Sequence, residues 1–371
     1  MKKVVIAMSG GIDSSVAAAL LKKRGNPAFA PFGGQGFDVT GVFMKLYPGS
    51  LRGSEKRARK VAKILGIPFY VLNFEKEFKR KVIDYFLEEY EKGRTPNPCV
   101  VCNKEIKFGL LLEKSLGLDA DFIATGHYAR TDLINSIRNK IAMAELTRIE
   151  NSTDKKVRLF RGRDKTKDQS YFLWQLTQKQ LKHILFPIGN YTKKEVRNLA
   201  KKFKLPVLDV SESQEICFIQ TTINDFLSRF LKPKPGKIVD SKGKVIGEHQ
   251  GLWFYTIGQR KGLGLAGGPW YVLEKDLKRN ILVVTKNEKD LEKNELIAEN
   301  VNWISGKEPK LPLKVKAKIR YRSKFISATI TKRLMSRVYC LKFIAPQRAI
   351  TPGQSVVFYK GEEILGGGII Q

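Results

Sequence analysis

The segment Ser9-Gly10-Gly11-Ile12-Asp13-Ser14-Ser15 decides the fold of this chain. It follows the apolar run Val4–Met8, which is typical of a buried parallel strand. It precedes the helix-forming run Val16–Leu21, which leads into three basic residues and a glycine, a pattern typical of a helix C-terminus. The segment therefore predicts a strand, a glycine turn and a helix whose N-terminal N–H groups can bind phosphate.

Asp13 is the acidic residue of this loop, and its expected task differs from that of the serines. A carboxylate repels phosphate, so we expect Asp13 to bind a Mg²⁺ ion or a ligand hydroxyl. No Gly-Lys-Ser/Thr sequence follows the glycines, and the loop is therefore not of the Walker type. A plain tight turn is the alternative interpretation.

The composition indicates the class of protein and of partner. A chain of 371 residues is long enough for two or three domains. The formal net charge of +32 predicts a polyanionic partner such as RNA, although a lysine-rich proteome would give the same excess. No apolar run reaches the length of a membrane span. Because the given sequence opens on its predicted first strand, we expect no signal peptide. With four cysteines, too few for a disulfide scaffold, we expect a cytoplasmic protein.

Strand and helix patterns alternate through the first 220 residues. They predict an α/β fold with a doubly wound parallel sheet, in which ligands bind at the carboxyl ends of the strands. The glycine loop, Met44 and Gly126 all fall at such ends. We interpret Gly25–Phe37 as an insertion without an assigned role and Arg94–Asn103 as a proline-broken loop. Short Gly-rich strands follow, and they predict two β domains.

The stretch Lys314–Lys324 has a basic residue at every even position. A single strand would place all six cations on one face, where they could follow RNA phosphates. A solvated edge strand, protected from aggregation by its lysines, is the alternative.

The four cysteines differ in their surroundings. Cys102 directly precedes a predicted helix over Lys104–Leu116, and we expect the helix N-terminus with Lys104 and Lys107 to lower its pKa. Cys217 ends a polar loop, and Cys340 is predicted as a buried strand residue. Cys99 and Cys102 lack the partners of a zinc site and the setting of a thioredoxin-like pair. With Cys217 they could instead hold an iron–sulfur cluster, which we keep as a minority hypothesis.

Several long motifs resemble those of the bacterial tRNA-specific 2-thiouridylases, within the ATP pyrophosphatase superfamily. The likeness covers nearly the whole chain. The segments that carry it are Ser9–Ser15, Asn97–Phe108, Ala124–Arg130, Lys167–Leu173, Ile216–Ile219, Gly247–Gly251, Tyr255–Gly264, Arg320–Lys324 and Pro346–Ile350.

The resemblance implies three domains. These are a nucleotide-binding and catalytic domain at 1–220, a central β-rich adaptor at 221–292 and a C-terminal β-barrel that contacts tRNA at 293–371. It implies an ATP-dependent tRNA-uridine 2-sulfurtransferase that adenylates C2 of the wobble uridine at position 34. Sulfur from a cysteine persulfide then gives 2-thiouridine, AMP and pyrophosphate.

The resemblance also implies roles for individual residues. Cys217 carries the persulfide and Cys102 is the second catalytic cysteine, with which it can form a disulfide. The residues matching the ATP site are Ala7, Met8, Ser9, Gly10, Gly11, Ile12, Asp13, Ser14, Met44 and Gly126. Asn97, Pro98 and Cys99 match the segment that touches the target base. The residues matching tRNA contacts are His127, Lys167, Asp168, Gln169, Arg320, Tyr321 and Gln347.

Cofactors and partners follow from the same resemblance. They are ATP with Mg²⁺, tRNA, and a sulfur donor that is a cysteine desulfurase or a relay protein; no resident metal site and no membrane are expected, and we expect a monomer. Cys99 departs from the family, because some members carry Asp there as a candidate acid or base. His127 could instead be a structural histidine that ends a strand.

Two other functions stay open at this point. One is another adenylating enzyme of the superfamily, such as an amide-forming synthetase, which would need neither Cys102 nor Cys217. The other is a basic tRNA-binding protein that has lost nucleotide turnover.

Overall fold

The computed structural model describes residues 1–23, 37–48, 52–132, 156–210, 216–333 and 338–371. Most of the predicted insertion Gly25–Phe37 lies outside these residues. Every residue to which the sequence analysis assigned a catalytic or binding role lies within them.

The N-terminal part is built on a five-stranded parallel sheet of order β3-β2-β1-β4-β7. Its strands are β1 (Lys3–Ala7), β2 (Asp38–Lys45), β3 (Phe69–Asn73), β4 (Phe122–Ala124) and β7 (Ile184–Leu185). The chain runs outward from β1 to β3 and returns on the other side of β1 at β4. The carboxyl ends of β1 and β4 therefore flank the switch point at which such sheets bind ligands, and the predicted doubly wound fold is confirmed.

Helices connect these strands. The helices of this part are α1 (Ile12–Lys22), α2 (Arg52–Leu65), α3 (Glu75–Phe78), α4 (Asp84–Glu91), α5 (Pro98–Cys102), α6 (Leu111–Leu116), α7 (Gln178–Leu181) and α8 (Lys193–Lys202). Helix α1 is almost wholly buried, since Val16, Ala17 and Leu21 have no accessible surface. It packs against both α2 and α8. π-Helical turns at Lys79–Ile83 and Asn103–Leu110 join α3 to α4 and α5 to α6.

The prediction of a loop over Arg94–Asn103 is wrong for the second half of this segment. A helix begins at Pro98 and runs without interruption through Cys102 to Leu116. Proline was interpreted as a breaker, but at the first helical position its fixed φ suits the helix and its missing N–H costs nothing. Cys102 therefore lies inside a helix and does not precede one.

The second sheet is small and mixed, with the order β10-β11-β8-β9. Its strands are β8 (Gly236–Asp240), β9 (Val245–His249), β10 (Tyr271–Asp276) and β11 (Ile281–Thr285), and helix α9 (Ile223–Ser228) precedes them. Ile238, Val272, Leu282 and Val284 form its core and are almost completely buried.

The C-terminal strands close into a six-stranded antiparallel barrel, because β12 pairs with both β15 and β17. The barrel strands are β12 (Glu292–Trp303), β13 (Leu313–Lys318), β14 (Ile326–Lys332), β15 (Tyr339–Arg348), β16 (Ser355–Lys360) and β17 (Glu363–Ile370). Cys340 lies on β15 as predicted, but it is half-exposed, since Tyr339 and Leu341 take the inward positions.

A short hairpin from the N-terminal part joins this barrel, which the sequence analysis did not predict. Strand β5 (Ala129–Thr131) pairs with β6 (Leu159–Arg161), and β6 pairs with β17. An ion pair of 2.9 Å between Arg130 and Glu362 reinforces the contact. The residues that follow β4 are thus connected directly to the barrel wall.

The basic stretch Lys314–Lys324 is a strand only in its first half. Lys314 and Lys316 are exposed and Val315 and Ala317 are buried, as the alternation predicts. The chain then leaves the sheet after Lys318 and turns, with the Ser323 N–H donating to the Arg320 carbonyl. The six cations therefore do not share one strand face. Because β13 lies between β14 and β16, the edge-strand alternative is also wrong.

Candidate active site

Hydrogen bonds between its own serine hydroxyl groups and backbone hold the glycine loop between β1 and α1 in place. The Ser9 N–H donates to Ser14 Oγ at 3.1 Å, and the Ser15 hydroxyl donates to the Gly11 carbonyl at 2.8 Å. Gly10 adopts a φ of +75°, and a Cβ at this position would overlap the backbone carbonyl of Ser54 at the start of α2. Glycine is therefore required here both by conformation and by space.

Gly126 brings the end of β4 against the same loop. A Cβ on Gly126 would lie 2.7 Å from the Ser14 nitrogen, so the backbone just after β4 contacts the first turn of α1 directly. In the described part of the chain no side chain caps α1 at Gly11. Its first N–H groups, which have no partner within the helix, lie beside this contact and are suited to an anion.

The carboxylate of Asp13 has two protein partners. Lys193 Nζ, from the first residue of α8, lies 2.8 Å from both Asp13 oxygens. The Tyr128 hydroxyl donates to Oδ1, also at 2.8 Å. The expected Mg²⁺ ion or ligand hydroxyl would therefore meet a carboxylate that already has a cation beside it.

Cys102 and Cys217 come from distant parts of the chain and lie in one region. Cys102 is buried in an apolar cluster that also contains Ala7 at the end of β1 and Phe218, the residue after Cys217. Cys217 is exposed, and the Tyr47 hydroxyl, just beyond β2, donates to its backbone carbonyl. The structure thus places both thiols next to the carboxyl edge of the sheet, as free thiols.

The pKa values of these thiols are raised, so the expected lowering for Cys102 is wrong. Burial raises the pKa of Cys102 to about 11, and the positive charge of Lys107 opposes this shift only in part. Although Cys217 keeps accessible surface, the protein atoms around it replace part of the water that would solvate a thiolate. This desolvation, with repulsion from Cys102 and Cys99, raises the pKa of Cys217 to about 12. Burial also raises the pKa of Cys99. Cys102 is too far inside its helix to gain from the free N–H groups.

We expect alkylation of Cys217 by iodoacetamide to be slow at pH 7 and to rise about tenfold per pH unit up to pH 10. The raised pKa keeps the thiol protonated over this range, and only the thiolate reacts. Mass spectrometry of the Cys217 peptide measures the rate, with glutathione as a control whose rate levels off near its own pKa. A plateau of the Cys217 rate near pH 9.0, the ordinary pKa of a cysteine thiol, or lower would contradict the raised pKa.

The iron–sulfur hypothesis for Cys99, Cys102 and Cys217 is not supported. Among the described residues, no group of three or more His, Cys, Asp or Glu side chains is arranged to hold a metal ion. We therefore assign these cysteines no cluster.

Asn97, at the start of the segment matched to the target base, connects the N-terminal part to the barrel. Its amide donates to Gln354 at 3.0 Å, and its carbonyl accepts from the Ser355 N–H at 2.9 Å and the Tyr171 hydroxyl at 3.2 Å. Pro98 is buried, and Cys99 is half-buried. Asn97 thereby holds the first turn of the Cys102 helix against β16.

Four of the residues matched to tRNA contacts lie near the β5–β6 hairpin. Most of them form hydrogen bonds or ion pairs with other residues of the protein. His127 is buried between Phe108 and Phe186 and hydrogen-bonds Thr125, as the structural alternative predicts, and burial lowers its pKa well below the usual value. The other three are Lys167, which is half-buried, Asp168, which pairs with Arg161 at 3.0 Å, and Gln169, which accepts from the Tyr128 N–H.

The three residues matched on the barrel side are more accessible. Arg320 is half-buried and donates to the carbonyls of Arg348 and Ala349. The Tyr321 ring packs against Phe172 at an interplanar angle of 45°, with 4.5 Å between ring centroids, and Gln347 is half-exposed on β15. The tRNA contacts assigned to all seven residues stay predictions.

The sequence analysis missed three residues of this site. Tyr128 and Lys193 hold Asp13, and Tyr47 holds the Cys217 backbone. Tyr47 and Tyr128 each follow a strand end by a few residues, which is a signal that could have identified them. Lys193 lies 180 residues from Asp13 at the start of an ordinary amphipathic helix, and no local signal marks it.

Family models match the chain in three consecutive stretches. They are the tRNA methyl transferase HUP domain at residues 2–221, the tRNA methyl transferase PRC-barrel domain at 224–286 and the aminomethyltransferase beta-barrel domain at 293–370. Their order parallels the three sheets described above.

Curated relatives match from end to end. The tRNA-specific 2-thiouridylase MnmA 2 of Thermoanaerobacter sp. (strain X514) is 47% identical and aligns with 100% of this chain and 98% of its own length. The MnmA of Carboxydothermus hydrogenoformans is 45% identical with the same coverage. Since both the relatives and the three family models cover nearly every residue, the chain belongs to the tRNA-specific 2-thiouridylase family.

Proposed function

We propose that this protein is an ATP-dependent tRNA 2-thiouridylase, which converts the wobble uridine at position 34 to 2-thiouridine. The observation that carries the proposal is the position of Cys102, which shares one apolar cluster with Ala7 at the end of β1 and with Phe218, the residue after Cys217. Both cysteines therefore lie in the region beside the phosphate-type loop, and the charge of Cys102 affects the pKa of Cys217. A different adenylating enzyme of the superfamily would not need this pair.

ATP fits the loop that follows β1. The residues Ala7–Ser14 supply N–H and hydroxyl groups for its phosphates, while Met44 and Gly126 line the adenosine. Because Gly126 and Gly10 carry no side chain, the segment after β4 and the start of α2 can pack directly against the loop backbone and hold its N–H groups in place for a ligand. Mg²⁺, bound with the phosphates, would neutralise the departing pyrophosphate.

Adenylation turns a poor leaving group into a good one. The uracil O2 attacks the α-phosphorus of ATP, the bond to the β-phosphate oxygen breaks and pyrophosphate leaves, while N3 gives up its proton. Sulfur then attacks C2 and the oxygen leaves with AMP. Side chains of the loop only bind and orient the phosphates during these steps.

Sulfur transfer uses both cysteines. The persulfide on Cys217 has a terminal sulfur that can attack C2 directly, after which the Cys102 thiolate attacks Cys217 Sγ and frees the thiocarbonyl. Alternatively, Cys102 attacks first and releases hydrosulfide, which then attacks C2. Either route breaks the persulfide S–S bond and forms a Cys102–Cys217 disulfide, which an external thiol must reduce with two electrons.

We propose that the barrel, which carries Arg320, Tyr321 and Gln347, binds the tRNA and presents it to this site. The net charge of +32 supports a phosphate-rich partner, and the wobble base must leave its stack to reach the cysteines. We propose that the segment Asn97–Cys99 contacts the target base. Buried members of the predicted contact set, such as His127 and Asp168, would act by holding the exposed ones in place.

The remaining partners are proposed on the same basis. We propose a cysteine desulfurase or a sulfur-relay protein as the donor, a monomeric enzyme and a cytoplasmic location. No helix in the described ranges combines the length and the apolar character that crossing a membrane requires.

The test is nucleoside mass analysis of tRNA incubated with the protein, Mg²⁺-ATP, cysteine and a desulfurase. We expect 2-thiouridine to form, with one AMP released for each thiolated uridine. Omission of ATP is the control and should leave the tRNA unchanged. Release of AMP without any thiolated nucleoside would contradict the proposal and indicate another adenylated substrate.

A further inference from the structure

Lys193 places a buried ammonium group in the glycine loop. Its Nζ lies 2.8 Å from each Asp13 oxygen, and the side chain is only 11% exposed. It also lies 5.9 Å from the centre of the Tyr128 ring, whose hydroxyl shares Asp13. A cation at this depth interacts more strongly with a neighbouring charge than one at the surface.

The loop itself carries no cation. Ser9–Ser15 contains one acidic residue and no lysine or arginine, whereas a Walker loop supplies its own lysine to the phosphates. Arg57, which also reaches the loop, donates to the Gly10 carbonyl at 3.2 Å and to the Ser54 hydroxyl at 2.8 Å. Lys193 thus supplies from α8 the positive charge that the motif lacks.

Hydrogen bonds hold the backbone of Lys193 in place, while its ammonium reaches Asp13 at the end of a long side chain with several rotatable bonds. Thr192 and Glu195 form a reciprocal capping box at the start of α8, and the Lys193 N–H donates to Asp164 at 2.9 Å. Helix α8 also packs on α1, so the two helix starts are fixed relative to each other. Rotation about its side-chain bonds can then move the ammonium from Asp13 to an adjacent oxygen.

We propose that Lys193 is a phosphate-binding residue of the ATP site, with Asp13 as its resting partner. This inference rests on the proposed function, in which ATP is the ligand of the loop. With Mg²⁺-ATP bound, the Asp13 carboxylate would bind the metal or a ligand hydroxyl and would release the Lys193 ammonium. The Lys193 ammonium then donates to a non-bridging phosphate oxygen, where it stabilises the charge that develops as pyrophosphate leaves.

The test measures Mg²⁺-ATP binding by calorimetry on the full chain without tRNA. We expect Lys193→Met to weaken the affinity by about tenfold to a hundredfold, the worth of one charged hydrogen bond. Lys194→Met is the matched control, because it makes the same change on the next, exposed residue of α8. We expect that variant to bind within twofold of the wild type.

A double variant distinguishes phosphate binding by Lys193 from a purely structural role of its ion pair with Asp13. Asp13→Asn combined with Lys193→Met leaves no unpaired charge and should fold even if Lys193→Met alone does not. If Lys193 binds phosphate, the double variant binds ATP at least tenfold more weakly than Asp13→Asn alone. Equal affinity of these two variants would overturn the inference while leaving the proposed function intact. A wild-type protein that binds no ATP would overturn both.

Discussion

Replacing Cys217 by serine should abolish 2-thiouridine formation while Mg²⁺-ATP binding stays within twofold of the wild type. Removing a covalent nucleophile costs a factor of about 10⁴ to 10⁶ in rate, because a serine hydroxyl cannot carry the persulfide sulfur. Cys217 lies outside the glycine loop, and the hydrogen bonds described for that loop do not involve Cys217. The measurement is nucleoside mass analysis of tRNA, paired with calorimetry of nucleotide binding.

Cys102→Ser should give the same loss of product by a different route. Without the second thiol the S–S bond at Cys217 cannot be broken. We therefore expect the intact-protein mass to show Cys217 with one extra sulfur atom if hydrosulfide is the nucleophile, or joined through that sulfur to the tRNA if the persulfide attacks C2 directly. Because Cys102 is buried among apolar side chains, this variant should also lose about 1 kcal/mol of unfolding free energy.

Cys340→Ser is the matched control for both substitutions. Cys340 is half-exposed on β15, where its Sγ lies 3.8 Å from Glu295, and it belongs to the barrel. We expect full activity from this variant. Normal thiolation by Cys217→Ser would contradict the proposed sulfur-transfer mechanism and favour the amide-forming or non-catalytic alternatives.

Gly10→Ala should remove Mg²⁺-ATP binding altogether and destabilise the N-terminal part. The residue adopts a φ of +75°, and its new Cβ would overlap the Ser54 carbonyl. Relief of this overlap must move the start of α2 away from the loop, because backbone on both sides leaves no flexible neighbour to yield. The phosphate-binding N–H groups would then lose their common orientation.

The control variant Gly66→Ala distinguishes the effect of steric overlap by the new Cβ from the effect of the left-handed backbone conformation. Gly66 also has a positive φ, +59°, but a Cβ there would meet no atom within 4 Å. We expect this control to lose about 1 to 2 kcal/mol of unfolding free energy, the cost of left-handed backbone for alanine, and to bind ATP normally. Thermal unfolding and calorimetry check both variants. If Gly10→Ala bound ATP like Gly66→Ala, the close contact between the loop and α2 would have no functional meaning.

Local patterns explain which predictions of the fold succeeded. The run Val4–Met8 and the glycines after it specify a strand and a turn through residues adjacent in sequence, and the structure shows β1 and α1 there. The predicted loop Arg94–Asn103 missed the helix that begins at Pro98, because proline is equally compatible with a loop and with a first helical turn. The prediction of one strand over Lys314–Lys324 failed in its second half. The alternation of basic and other residues continues beyond the point at which the chain turns.

The candidate site was predicted in part. Motif resemblance identified the glycine loop, Cys102 and Cys217, but the pKa of Cys102 was predicted in the wrong direction. A neighbouring lysine is visible in the sequence, whereas burial depends on Ile106, Phe218 and other residues that pack around the thiol only in the folded protein. In this case desolvation outweighs the charge of Lys107.

The sequence by itself determined the phosphate-type loop, the α/β class of the N-terminal part, the β character of the remainder and the candidate cysteines. Each of these depends on residue types within a few positions of one another. Only the tertiary structure decided that Lys193 meets Asp13 and that the hairpin β5–β6 pairs with strand β17 of the barrel. Such contacts join residues far apart in the chain, and they depend on how whole elements pack, which no local periodicity records.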